Sequence, residues 1–219
     1  GGGPAGLLTA GLLARRKELA VTLIEREAEQ EAWSAKSYTI NISDKGEKAL
    51  DAFGGAAAAG SFASLRWGME MHGGPPGAPT AVPRRGWGTN RPAIAAAIEE
   101  QIAAEGGRVE VRRGVCVDGL DPRADGGVAI VTKGGKKEVY DAVVGADGKW
   151  SAIRRACGLT WPTRKEPKWG VLLRASRLPA GWAGDRMHVV FGKTTGPAIA
   201  ALVSPLRTSD AQTAAADES

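Results

Sequence analysis

The chain has 219 residues, of which 43% are hydrophobic, and a formal net charge of +5. This length accommodates one large domain, or one domain and part of a second, and no apolar run approaches the roughly 20 residues of a membrane span. The basic residues form scattered pairs rather than one basic segment, so we predict a solvated surface and no nucleic-acid partner.

The two cysteines, Cys116 and Cys157, lack the C-x-x-C spacing of metal and redox motifs. Isolated thiols indicate a reducing intracellular compartment, either the cytoplasm or an organelle. His72 and His188 are the only histidines. Because they are few and far apart in the chain, we expect no metal site, and the oligomeric state is left open.

A glycine-rich stretch, G-G-G-P-A-G, occupies residues 1–6 and leads into an apolar helical pattern. In this G-x-G-x-x-G arrangement, Gly1 and Gly3 permit a tight turn and close approach of the backbone to a pyrophosphate, and Gly6 lets the helix lie near the sheet. The helix N-terminus offers N–H donors and a positive dipole end to phosphates. The motif therefore predicts a phosphate-binding turn formed by Gly1, Gly3, Pro4, Ala5 and Gly6.

An apolar run from Val21 to Ile24 follows this helix and ends at Glu25. The run predicts a β-strand. Glu25 follows Gly3 by about twenty residues, a spacing at which an acid can accept hydrogen bonds from a ribose diol. A carboxylate at this position also repels a 2′-phosphate.

Local patterns predict the next elements along the chain. A helix is expected to begin at Asp44, whose side chain would cap it while Glu47 reaches back, and to end at glycines 54–55. Asn90 is predicted to cap a helix that runs through Ile102. Strands are predicted over residues 61–71, 108–117, 128–133, 138–144, 169–175, 187–191 and 198–203, with a hairpin at Gly134-Gly135.

The second candidate binding-site motif is the turn at Gly145-Ala146-Asp147-Gly148. A short buried strand over residues 141–144 is predicted to lead into it, and Ser151 is predicted to cap a brief helix after it. The polar, alanine-rich residues 208–219 are predicted to form a disordered tail.

Three separated stretches resemble the flavin-dependent aromatic hydroxylases of the p-hydroxybenzoate hydroxylase class, and most closely their kynurenine 3-monooxygenase branch. Residues 1–6 with Glu25 are similar to the family's dinucleotide fingerprint, residues 145–154 to its G-A-D-G-x-x-S-x-V-R segment, and residues 90–94 to its R-x-x-L helix start. The resemblance implies an α/β fold. It places a Rossmann-like FAD-binding domain of the GxGxxG type at residues 1–163 and the start of a β-rich substrate domain at residues 164–207.

This resemblance also implies a function, that of an FAD-dependent monooxygenase with NADPH as a transient reductant and a small aromatic substrate. It implies that Asp147 and its backbone approach the FAD ribose and pyrophosphate, and that Arg91 contacts FAD from the far side of the cleft. No catalytic side chain is identified. The predicted cofactor-binding residues are Gly1, Gly3, Pro4, Ala5, Gly6, Glu25, Arg26, Arg91, Asp147 and Gly148.

Two alternatives stay open: a different FAD-dependent oxidoreductase, such as an epoxidase or a reductase, and a non-catalytic FAD-binding fragment. The strand that normally precedes the glycine motif and the family's later Gly-Asp motif are both missing from this sequence. We therefore expect a fragment that does not turn over by itself.

Overall fold

The structure is a computed structural model that describes residues 1–29, 37–54, 59–73, 80–160, 162, 177–192 and 199–203. Its helices are α1 (Pro4–Ala14), α2 (Asp44–Ala52), α3 (Ala59–Phe62), α4 (Arg91–Ala104) and α5 (Ala152–Ala156). Its strands are β1 (Val21–Ile24), β2 (Thr39–Ile42), β3 (Ser64–His72), β4 (Ala81–Asn90), β5 (Val109–Arg112), β6 (Val117–Pro122), β7 (Val128–Thr132), β8 (Lys137–Tyr140), β9 (Arg186–Phe191) and β10 (Ile199–Val203).

The chain forms two compact units that interleave along the sequence. The first comprises Gly1–Ser37 and Ile94–Gly170, and the second comprises Tyr38–Ala93 and Val171–Ser219. This partition differs from the linear division predicted at residue 163, because β3 and β4 share a sheet with the much later β9 and β10. The assignment of FAD binding and substrate binding to particular segments stays a prediction.

In the first unit, the strand predicted over residues 21–24 is β1, which pairs in parallel with β5. Helix α1 packs on β1. Its buried stripe consists of small or apolar residues that recur at helical spacing, namely Gly6, Leu7, Ala10, Gly11 and Ala14. The small members of this stripe allow the helix to lie close to the strand.

The first unit also contains the predicted antiparallel ribbon, formed by β6, β7 and β8 in that order. The hairpin at Gly134-Gly135 joins β7 to β8, and Gly135 has a φ of +79° that favours glycine. The strand predicted over residues 108–117 is instead two strands, β5 and β6. Gly114 lies between them with a φ of +73°, and this left-handed conformation ends β5.

The buried strand predicted over residues 141–144 is not present, and Val144 is 62% exposed. A strand needs a neighbour to complete its hydrogen-bonding ladder. Within the described residues, no strand pairs with this segment.

The second unit contains a five-stranded sheet with the order β10-β9-β3-β4-β2. The pair β3 and β9 is parallel, and the other neighbours are antiparallel. The strands predicted at 187–191 and 198–203 correspond to β9 and β10. The strand predicted from residue 61 begins only at Ser64, because the short helix α3 precedes it. The strand predicted over 169–175 and the tail from residue 208 lie outside the described residues.

The helix starts show where the capping predictions succeed and where one fails. Asn90 accepts a hydrogen bond from the Ala93 backbone N–H at 2.9 Å, as predicted for the start of α4. The predicted cap of α2 is wrong by one residue. Ser43, and not Asp44, has the extended backbone of an N-cap, and its Oγ accepts from the Gly46 N–H at 3.2 Å. A search of the described helices for one both long and apolar enough to cross a bilayer finds none.

Candidate cofactor site

The glycine-rich turn lies against the end of β1 in the first unit. The Gly1 nitrogen donates to the Ile24 carbonyl at 2.5 Å, and the Gly2 N–H donates to Oε2 of Glu25. The turn then enters α1 at Pro4, which occupies the first turn of the helix, where its missing N–H is tolerated. The predicted order of turn, helix, strand and acid is therefore confirmed in three dimensions.

The three motif glycines meet different surroundings. A Cβ on Gly1 would lie 2.1 Å from the Ala146 carbonyl oxygen, and a Cβ on Gly6 would lie 1.9 Å from the Gly1 carbonyl oxygen. Both glycines are thus required by contacts within the protein. A Cβ on Gly3 would meet nothing within 4 Å. The space beside Gly3 is open, as a turn that admits a ligand requires.

The start of α1 offers backbone donors beside this open space. Gly3 is the N-cap and makes no side-chain capping bond, and the first helical bond runs from the Leu7 N–H to the Gly3 carbonyl at 3.0 Å. The N–H groups of Ala5 and Gly6 precede that bond and have no acceptor within the helix. Together with the helix dipole, they favour an anion at this position.

Glu25 is held rigidly at the edge of the turn. Its backbone N–H donates to the Arg112 carbonyl at 2.9 Å, which extends the pairing of β1 with β5. The residue is only 8% exposed. Oε2 accepts from Gly2, and Oε1 accepts from the Glu27 N–H at 2.9 Å. The adjacent Arg26 has a largely exposed side chain, and its Nε lies 3.4 Å from a carboxylate oxygen of Glu27.

Asp147 holds the start of α5. One carboxylate oxygen accepts from the Ser151 hydroxyl at 2.5 Å, and the other accepts from the Ala152 and Ile153 N–H groups at 2.6 and 3.2 Å. Partial burial raises the pKa of Asp147, but the hydrogen bonds from Ser151, Ile153 and Ala152 outweigh this and keep the pKa below its ordinary value. Both oxygens therefore serve the helix start, and the predicted contact of Asp147 with a cofactor stays a prediction.

The turn that contains Asp147 touches the first glycine of the motif. The position of a Cβ on Gly1 lies 3.3 Å from the Asp147 Cα as well as against Ala146. Gly148 ends this turn with a φ of +84°, a conformation that side chains rarely adopt. The structure thus brings together the two predicted stretches, although they lie far apart in the sequence.

Arg91 belongs to the second unit, where it is the first residue of α4. Its guanidinium carbon lies 5.3 Å from the centre of the Tyr38 ring, which is within the range of a cation–π contact. The predicted contact of Arg91 with the cofactor stays a prediction.

The second unit also contains a cavity of about 170 Å³ that the sequence patterns did not indicate. Arg66, Arg84 and Arg85 contribute to its lining. Arg66 is only 3% exposed and donates to the Asn41 side-chain oxygen at 2.5 Å, and burial lowers its pKa. Gly88 makes room for this arginine, since a Cβ there would lie 1.9 Å from the guanidinium carbon. The sequence carries no local signal for this contact, because Arg66 and Gly88 meet through the pairing of β3 with β4.

The two histidines contradict the expectation that they are too far apart to cluster. His72 Nε2 lies 3.1 Å from His188 Nδ1, although 116 residues separate them in the sequence. Both residues belong to the sheet of the second unit. Their separation along the chain was a poor guide, because β3 and β9 are neighbours in that sheet.

Comparisons with known proteins extend this picture. A variant of 2-methyl-3-hydroxypyridine-5-carboxylic acid oxygenase is 19% identical, with a TM-score of 0.63 over 94% of this chain and 54% of that one. PqsL of P. aeruginosa in complex with 2-aminobenzoylacetate is 20% identical, with a TM-score of 0.59 over 76% and 47% of the two chains. Diels-Alderase PyrE3 is 20% identical, with a TM-score of 0.56 over 74% and 34%.

These similarities show a shared fold, and the chain spans 34 to 54% of the length of these three solved structures. No curated protein sequence matches it. The model of the family described as "FAD binding domain" matches residues 1–215, which is almost the whole chain. The chain therefore belongs to the FAD binding domain family.

Proposed function

We propose that this chain binds FAD through its glycine-rich turn and is the cofactor-binding part of an NADPH-dependent monooxygenase, which hydroxylates a small aromatic substrate like the kynurenine 3-monooxygenase branch it resembles. One observation carries the proposal: a Cβ at Gly3 meets nothing, whereas Gly1 and Gly6 are fixed by backbone contacts. Among the three glycines of the motif, Gly3 alone therefore has open space beside it, and it lies at the helix N-terminus. When bound, FAD supplies the redox and oxygen-activating chemistry.

The residues of the first unit would position this cofactor. The N–H groups at the start of α1 would receive the negatively charged pyrophosphate. Glu25 would accept hydrogen bonds from the ribose diol, because each carboxylate oxygen has a second lone pair beyond the one used by a backbone N–H. Asp147 would act as a positioning residue that holds its turn beside Gly1.

The second unit supports the choice of substrate class. Its cavity of about 170 Å³ has room for a small molecule only, and its lining is positively charged on balance, with Arg66, Arg84 and Arg85 against the single carboxylate of Asp44. Guanidinium groups bind carboxylates through paired hydrogen bonds. Small aromatic acids are therefore the first substrates to test, with kynurenine among them.

The test of cofactor binding is a titration of the purified chain with FAD, followed by the change in flavin fluorescence. Gly3→Val should fold normally, because Gly3 has an ordinary φ of −76° and open surroundings. Its side chain would displace the pyrophosphate from at least two hydrogen bonds to a charged group, worth about 1.5–3 kcal/mol each. We expect the FAD affinity to fall by about 10²- to 10⁴-fold.

The matched control is Gly119→Val, which introduces the same side chain at another glycine whose Cβ meets nothing within 4 Å. It should leave the FAD affinity unchanged within about twofold. If Gly3→Val binds FAD as tightly as this control, the turn is not the phosphate site and the proposal fails.

A second candidate is an FAD-dependent protein that does not hydroxylate aromatic rings. The observation that favours it is that one structural neighbour of the same fold is named a Diels-Alderase. The two candidates differ in the reaction. NADPH oxidation that depends on an aromatic acid and yields a hydroxylated product supports the monooxygenase, whereas FAD binding without such turnover by the full-length protein supports the second candidate.

A further inference from the structure

A cluster of three side chains occupies one face of the five-stranded sheet. Glu70 and His72 are two residues apart on β3, so their side chains point to the same face. Glu70 is opposite His188 in the parallel pairing of β3 with β9. This register brings both histidines of the chain and one carboxylate to a single point.

The distances within the cluster match those between the ligands of a small metal ion. His188 Nδ1 lies 3.1 Å from His72 Nε2 and 3.4 Å from Glu70 Oε2, and the three atoms all lie within 4.8 Å of one another. A tetrahedral ion with bonds of about 2.0–2.1 Å has neighbouring ligand atoms about 3.3 Å apart. The two spacings from His188 Nδ1 therefore match two edges of such a tetrahedron.

Further contacts aim two of these groups at the common point. His188 Nε2 lies 2.9 Å from the Ala183 carbonyl, which can only accept, so Nε2 carries the proton and Nδ1 presents a lone pair to the cluster. Glu70 directs its other oxygen, Oε1, to Arg186 Nε at 3.5 Å. Metal-binding histidines and carboxylates are oriented by outer contacts of this kind.

The cluster is also largely shielded from solvent, and its groups are electron-pair donors. His188 is fully buried, and Trp182 stacks on His72 with ring centres 4.1 Å apart and on His188 at 4.4 Å. The His188 Nδ1 lone pair and the Glu70 carboxylate are both electron-pair donors, and His72 Nε2 lies 3.1 Å from the first of them. Since Glu70 is 25% exposed, a cation can reach the point where the three groups converge.

We propose that Glu70, His72 and His188 bind a divalent transition metal of the Zn²⁺ class, which links β3 to β9. Two imidazole nitrogens and one carboxylate oxygen are a ligand set that suits this ion, with a fourth position for water. When the ion binds, the proton on His72 Nε2 leaves to solvent and Nδ1 takes one up, so that His72 coordinates as a neutral imidazole.

The experiment uses the full chain with Cys116→Ser and Cys157→Ser, because both thiols are exposed and could bind Zn²⁺ themselves. The chain is labelled with ¹⁵N and titrated with Zn²⁺, and the imidazole signals are followed by NMR. Since the chain has only two histidines, the spectrum reports the cluster directly. We expect both sets of ring signals to shift together and to saturate at one equivalent of Zn²⁺.

Variants identify the third ligand and exclude other sites. Glu70→Gln and His72→Gln should each weaken Zn²⁺ binding by at least about tenfold. Glu100→Gln, a change at an exposed glutamate on α4, should leave it unchanged. The NMR titration of the chain with an intact cluster does not depend on these variants. It therefore still tests the proposal if Glu70→Gln or His72→Gln fails to fold. Ring signals that do not shift, a shift of one histidine alone, or undiminished affinity in a folded Glu70→Gln or His72→Gln chain would overturn the proposal.

Discussion

Replacement of Gly6 by alanine tests how closely α1 packs against the turn. The added Cβ would lie 1.9 Å from the Gly1 carbonyl oxygen and 3.4 Å from the Ala146 Cβ. Non-bonded carbon contacts are favourable only at about 3.5–4.0 Å, so relief of the first contact requires a movement of more than about 1 Å. Both partners are backbone or short side chains, and neither can rotate away.

The cost of this movement follows from what α1 buries. Leu7 is 0% exposed and Ala10 is 5% exposed, so a shift of the helix disturbs a well-packed part of the first unit. Overpacking of a well-packed region typically costs about 1–3 kcal/mol. Because the colliding atom is a backbone oxygen, we expect a loss in the free energy of unfolding near the upper end, about 3 kcal/mol. This is a large fraction of the 5–15 kcal/mol of a typical domain.

The assay is urea denaturation followed by circular dichroism, with Gly3→Ala as the control. The control adds the same methyl group three residues earlier, where it meets nothing within 4 Å. Alanine is a poorer N-cap than glycine, but it also restricts the unfolded chain, so its net effect should be within about 1 kcal/mol. Gly6→Ala should lower the urea midpoint clearly more than Gly3→Ala at a similar slope. Equal midpoints for the two variants would refute the close packing of α1 on the turn.

Two further substitutions test the polar contacts of the site. Glu25→Gln replaces an acceptor oxygen by an amide donor, so the N–H of Gly2 or of Glu27 loses its partner. We expect a loss of about 1–3 kcal/mol in the free energy of unfolding in urea, and an unchanged midpoint would contradict these hydrogen bonds. Asp147→Asn tests pH dependence: hydrogen bonds from Ser151 and α5 overcome the effect of burial and hold the Asp147 pKa below the ordinary 3.8. Because the pKa of Asp147 is lower in the folded protein than in the unfolded chain, the ionised carboxylate stabilises the folded protein at pH values above 3.8. This stabilisation is lost as the pH falls through the pKa of the folded protein. Thermal melts from neutral pH down to about pH 3 should therefore fall less steeply for the asparagine variant, and parallel curves would count against the assignment.

The sequence was sufficient for features that depend on neighbouring residues. The helix after the glycine-rich stretch, the strand β1, the caps at Asn90 and Ser151 and the hairpin at Gly135 were all predicted, and the structure confirms them. Each relies on a hydrogen bond, a φ angle or an apolar pattern within a few residues. The prediction of an FAD-binding α/β chain is likewise confirmed by its family.

Local patterns failed where a long-range partner decides the outcome. Residues 141–144 have the composition of a buried strand, yet within the described part of the chain no neighbour completes their ladder. The cap of α2 failed for a smaller reason, since Ser43 and Asp44 are both good caps and the backbone angles choose between them.

The sequence by itself determined that a glycine-rich turn, a helix, a strand and an acid follow one another, because the turn and helix signals are local. The close packing at Gly6 was also predicted, but only the tertiary structure decided that Gly1 packs against Ala146 and that Gly3 faces open space. It also decided that the two histidines, 116 positions apart in the sequence, meet, because β3 and β9 are neighbours in the sheet. Contacts of this kind depend on which strands become neighbours, and that choice is made by the packing of the whole unit rather than by any local pattern.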